Sequence, residues 1–84
     1  MINDERQCYI CGRSDVLHVH HCLPGGRRKK CDEYGLTVYL CPWCHQKLHD
    51  KGVGYRELQQ VAQRFFEEQY GHEKWMEIFQ KNYL

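Results

Sequence analysis

The chain has 84 residues and no long apolar run, and it has only two prolines and two methionines. No stretch is long and apolar enough to cross a bilayer, so no membrane partner is expected. Residues 1–6 are polar (Met-Ile-Asn-Asp-Glu-Arg) and lack the apolar core of an export signal, which makes the cytoplasm the expected location. Charge of one sign is not in excess either. Twelve Lys and Arg face eleven Asp and Glu, for a net charge of +1, so global charge alone selects no anionic partner. Internal repeats and low-complexity tracts are absent. A chain of this length is expected to form a single domain, 1–84, and a domain so small usually needs a metal, disulfides or a partner to hold together.

What the chain does have is six cysteines and six histidines. They are unevenly spread. Residues 7–50 hold all six Cys and five of the six His, whereas residues 51–84 hold no Cys. A reducing cytoplasm disfavours disulfides, so paired cysteines read as metal ligands or redox groups. Cys8-Tyr9-Ile10-Cys11 and Cys41-Pro42-Trp43-Cys44 are two CxxC knuckles, together offering the four thiolates of a closed, structural zinc site. Two rival readings attach to the second knuckle. Cys41-Pro42-Trp43-Cys44-His45 has the form of a c-type haem attachment site, but haem is attached outside the cytoplasm. Cys-Pro-Trp-Cys has the form of a redox dithiol, but the expected βαβ surroundings are missing. An upstream CxxC favours metal over both.

The order of elements follows from local pattern. Gly12 suits the tight turn after the first knuckle. Stretch 16–21 (Val-Leu-His-Val-His-His) alternates and is β-branched, so it predicts a strand, and 36–40 (Leu-Thr-Val-Tyr-Leu) predicts a second. Pro24-Gly25-Gly26 predicts a loop, with Arg27-Arg28-Lys29-Lys30 in or beside it as a compact basic run. Pro42 and Gly52 bracket a helix that carries Cys44, His45 and His49. Beyond it, Tyr55, Leu58, Val61, Ala62, Phe65, Phe66 and Tyr70 recur at helical spacing up to Gly71, and Trp75, Met76 and Phe79 predict a short final helix. These apolar stripes are expected to be core.

Histidine forms the second constellation. His45 and His49 are four apart and share one helical face, a spacing that grips a metal ion. His20 and His21 are neighbours on a strand and point to opposite sides, so one can ligate metal while the other faces a substrate. His18 shares the face of His20 and is expected to be solvated. The plainer alternative makes all of these surface histidines or extra ligands of the structural zinc. Cys22 and Cys31 stand apart from the knuckles and read as ordinary small side chains.

These residues resemble the HNH nuclease family in its zinc-knuckle form. The likeness rests on Cys8 and Cys11, the doublet His20-His21, and the run from Leu40 through Cys41, Cys44 and His45 to His49, and it covers about half the chain. Arg28-Lys29-Lys30 with Tyr34-Gly35-Leu36, and the ending Asn82-Tyr83-Leu84, are similar to small phage- or prophage-encoded members. The resemblance implies an α+β fold: a small ββα-metal, treble-clef-like core at 7–50, stabilised by zinc, with a helical extension at 51–84. It implies that His20, His45 and His49 hold a second divalent ion (Mg²⁺, Mn²⁺, Ni²⁺ or Zn²⁺) and that His21 is the general base. DNA is then the expected substrate, Arg27, Arg28, Lys29 and Lys30 the expected phosphate contacts, and phage packaging or recombination proteins the expected partners. The chain departs from the family where many members carry an Asn that helps orient the base. Here the sequence reads Gly35-Leu36-Thr37. Backbone or Thr37 is left to fill that role. The competing expectation is a nuclease-derived module that binds DNA or a protein without cutting.

Overall fold

The computed structural model describes residues 1–23 and 25–84. Its elements run β1 (His18–His21), a 3-10 turn (Gly25–Arg27), α1 (Arg28–Tyr34), β2 (Thr37–Leu40), α2 (Pro42–Lys51), α3 (Tyr55–Tyr70) and α4 (His72–Phe79). Among the described residues the fold is thus α+β, with four α-helices and a two-stranded antiparallel sheet. The register pairs His18 with Leu40, Val19 with Tyr39, His20 with Val38 and His21 with Thr37. Both strands are shorter than the alternation predicts. Val16, ahead of β1, is exposed, so nothing buries the start of the alternating run. The free side of β2 is covered by the N-terminal segment: Ile2 N donates to Thr37 O, Tyr9 N donates to Tyr39 O, and the Asn3 amide oxygen accepts from Tyr39 N.

The predicted loop around the basic run gives way to a helix. Pro24 lies outside the described residues; Gly25 to Arg27 form a turn, and α1 begins at Arg28. Arg and Lys are good helix formers, and Gly35 ends the helix in the left-handed region at φ 71°, its N–H donating to Cys31 O. A Cβ on Gly35 would also lie 2.8 Å from the Met1 backbone nitrogen, so the position is closed to other residues twice over. Positive charge in a first turn opposes the helix dipole, and α1 has no capping side chain. Tertiary contacts compensate. Cys31 is fully buried, and two of the cations turn away to the far end of another helix: Arg27 Nη2 donates to Phe79 O at 3.1 Å and Lys30 Nζ to Ile78 O at 3.1 Å. These are carbonyls in the last turn of α4, where cations are favoured.

The two halves meet through aromatic rings. Tyr34 of α1 packs edge-on against Phe66 of α3, with ring centroids 5.1 Å apart, and Phe66 in turn contacts Trp75 and Phe79 of α4 at 5.5 Å each. Leu58, Phe66, Trp75 and Phe79 are buried as the stripe predicts, but Phe65 is only partly so. The C-terminal tail docks on the same core. The wholly buried Gln63 accepts from Tyr83 N and donates to Asn82 Oδ1, each at 2.7 Å, and Trp75 Nε1 donates to Lys81 O at 2.7 Å. Buried amide and indole groups thereby keep their hydrogen bonds. Cys22 and Cys31 belong to this core; burial, reinforced by Cys31, pushes the Cys22 thiol up to about 12, which keeps it protonated at neutral pH.

Candidate metal centres

Among the described residues, two groups of side chains converge as metal-ion ligands would. The first is Cys8, Cys11, Cys41 and Cys44, whose sulfurs all lie within 4.8 Å of one another. The two knuckles are built alike. In the first, Gly12 N donates to Cys8 O and closes the turn, and Cys11 N points at Cys8 Sγ at 3.5 Å. In the second, Cys41 is the N-cap of α2, Pro42 takes the first turn, and Cys44 N points at Cys41 Sγ at 3.5 Å. Cys11 Sγ and Cys41 Sγ are 3.6 Å apart across the gap between knuckles. Zinc–sulfur bonds of 2.3 Å in a tetrahedron separate sulfurs by about 3.8 Å, so the spacing fits the ion. Electrostatics agree. Burial opposes ionisation of Cys8, yet backbone N–H groups of Cys11, Cys41 and Ile10 outweigh it and favour its thiolate. Cys44 is driven the other way by burial and by sulfurs already sharing its site. As thiolates, four sulfurs so close would repel one another, and a divalent cation at their centre would remove that conflict. This cluster could bind a structural metal such as zinc.

The second group is His20, His45 and His49, again with one donor atom each inside 4.8 Å. β1 supplies His20 and α2 supplies the others. His45 Nε2 and His49 Nε2 are 3.0 Å apart, close to the roughly 3.4 Å expected between two imidazoles on one tetrahedral zinc. The His20 ring lies 5.4 Å from that of His45 and 6.1 Å from that of His49. Burial, then repulsion from His45, His49 and His21, lowers His20 to about 4; burial with repulsion from His49 and His18 lowers His45 as well. Both are therefore neutral at pH 7, the form in which imidazole ligates metal. His18 is exposed, as expected of a solvated side chain, and its Nδ1 sits 3.2 Å from His45 Nδ1.

Whereas His20 meets α2, His21 meets α1. Its Nε2 is 2.8 Å from Asp32 Oδ1. Among the described residues the imidazole's side-chain partner is Asp32, and Thr37, one of the expected substitutes for the missing Asn, is paired with His21 in the strand register. His20, His21, His45 and His49 line one open cleft of about 440 Å³, together with Arg28 and Tyr55. The basic run is divided by this arrangement. Arg28 faces the cleft, Lys29 is exposed, and Arg27 and Lys30 are engaged by α4. Asp32 and Arg28 escaped the sequence reading as a pair because 27–30 was expected in or beside a loop. Read as helix, their four-residue separation puts them on one face.

No helix among the described residues is long and apolar enough to cross a membrane. No family model matches the chain, and no curated protein and no solved structure matches it.

Proposed function

We propose that this chain is a metal-dependent DNA endonuclease of the HNH type, with His20, His45 and His49 holding the catalytic ion and Cys8, Cys11, Cys41 and Cys44 holding structural zinc. One observation carries the reading. Three imidazoles converge at the wall of an open cleft that also presents a fourth histidine, outside the ligand set, and an arginine. A structural site has no use for an open side, whereas a hydrolytic one needs room for substrate and water.

The residues then divide the work. Arg28 binds a phosphate oxygen of the DNA backbone beside the cleft, a contact that positions the strand without reading its sequence. His20, His45 and His49 fix the place of the ion, which when bound supplies positive charge to the scissile phosphate and its departing oxygen. His21 accepts the proton of the attacking water as the water oxygen bonds to phosphorus; the bond to the 3′ oxygen breaks, and its electron pair leaves with that oxygen. Imidazole suits this task at neutral pH. A phage or prophage source, with packaging or recombination proteins as partners, belongs to the same proposal and rests on the sequence resemblance alone.

Supercoiled plasmid incubated with zinc-loaded protein and Mg²⁺, Mn²⁺, Ni²⁺ or additional Zn²⁺ tests the proposal. Nicked or linear product is expected with at least one ion, and His21→Ala should slow its formation by about 10²–10⁴-fold. DNA retained in a gel shift but uncut with every ion would replace the enzyme by a binding module.

A further inference from the structure

The geometry points to Asp32 as the residue that positions the His21 imidazole, taking over in this chain the task of the Asn its sequence lacks. The inference rests on the nuclease reading for its catalytic meaning, but not for its geometry. Asp32 Oδ1 lies 2.8 Å from His21 Nε2. A carboxylate only accepts hydrogen bonds, so the contact requires the proton on Nε2. In the neutral ring Nδ1 is then the nitrogen with a free lone pair, the one able to take a proton from water. A ring held in one tautomer and one orientation needs no reorganisation when the reaction begins.

Position argues that the contact serves the site and not the fold. The Asp32 side chain is 65% exposed, while that of His21 is 18% exposed. An exposed pair of this kind adds little to stability. Asp32 stands one helical turn beyond Arg28 on α1, so the helix that presents a cation to the cleft also presents the carboxylate that holds its base. β1 and α1 thus divide the two histidines between two duties, His20 toward α2 and His21 toward Asp32.

The test uses the full zinc-loaded chain with Asp32→Ala, Asp32→Asn, His21→Ala and the double variant His21→Ala/Asp32→Ala. Long-range ¹⁵N–¹H spectra of the imidazoles identify which His21 nitrogen bears the proton, independently of any cleavage. Expected in the parent protein is a single Nε2–H tautomer, which Asp32→Ala converts to a mixture. Cleavage by Asp32→Ala should fall about 10–100-fold in kcat, with KM little changed. Asp32→Asn keeps an oxygen acceptor and should recover most of the rate. In the His21→Ala background, removing Asp32 should cost nothing further, since both act through one ring. A parent-like spectrum and rate in Asp32→Ala overturns the inference, as does an additional loss in the double variant. If the spectra change as expected but the parent protein cuts no DNA with any ion, the nuclease reading and the catalytic meaning of the contact are overturned, while the hold of Asp32 on the His21 ring stands.

Discussion

The thiolate centre and the imidazole centre are joined by consecutive residues, Cys44 and His45, yet the chain builds them in opposite ways. Three of the four cysteines are buried or partly buried, in knuckle turns where backbone N–H groups point at sulfur. The three histidines stand on a strand and a helix, range from buried to exposed, and open on a cleft. Turn-borne ligands close around an ion and tie distant segments together; ligands on regular elements present it. The first arrangement suits folding and the second suits chemistry. Helix α2 belongs to both, carrying Cys44 of one group and His45 and His49 of the other, so the expected asymmetry is that loss of the cysteine site disturbs the histidine site more than the reverse.

The strongest way to break this asymmetry is to remove a thiolate. Cys44→Ser should lose zinc and native structure together, since a structural zinc of this class contributes on the order of 10 kcal/mol to folding. Metal analysis with circular dichroism reads both, and a variant that keeps native ellipticity without zinc would show that the knuckles are not what holds the fold. Phe66→Ala should destabilise the chain by about 3–5 kcal/mol through the aromatic contact between α1 and α3–α4, without changing zinc stoichiometry. Phe65→Ala should cost clearly less, because that ring is only partly buried. Urea denaturation of the two variants side by side settles their order.

Removing an imidazole should leave the fold in place. His49→Ala is expected to retain zinc and its melting profile while binding the second ion roughly tenfold or more weakly, so that titrating the ion restores cleavage. Isothermal titration against the parent protein measures this, and unchanged affinity would take His49 out of the ligand set. Acid should sharpen the same contrast. His20 stays neutral in the fold down to about pH 4 but takes a proton near 6.5 when unfolded. The unfolded chain therefore holds more protons between these values, so His20's contribution to stability is full above pH 6.5 and is lost as pH falls toward 4. Denaturation midpoints of parent and His20→Gln proteins across this range should converge at low pH; parallel curves would contradict the lowered value. The smallest expected effect separates the cations. Arg28→Ala should weaken DNA binding and reduce its salt slope by about one, with little change in melting, whereas Arg27→Ala should lower the melting temperature slightly and leave the salt slope alone.

Both groups of candidate metal ligands were legible because their spacing is largely local. CxxC fits a knuckle, and two imidazoles four apart share a helix face, whatever surrounds them. The α+β class, α2 and the two C-terminal helices followed from equally local signals, the Pro42 and Gly52 boundaries and the apolar stripe of α3. Helix α1 was not legible. Four consecutive cations after Pro24-Gly25-Gly26 look like a solvated loop, and their helical state depends on a buried Cys31, on Gly35, and on carbonyls of α4 some fifty residues away.

Sequence by itself therefore determined which side chains could serve as donors: thiolates in pairs, imidazoles in register, and a strand whose alternation sends His20 and His21 apart. Only the tertiary structure decided which of them meet. It brought His20 from β1 to His45 and His49 on α2, withdrew Arg27 and Lys30 from the cleft while leaving Arg28 there, and set Asp32 against His21. Each of these contacts joins different elements, and their geometry is fixed by how helices pack on a short sheet, which no local pattern encodes.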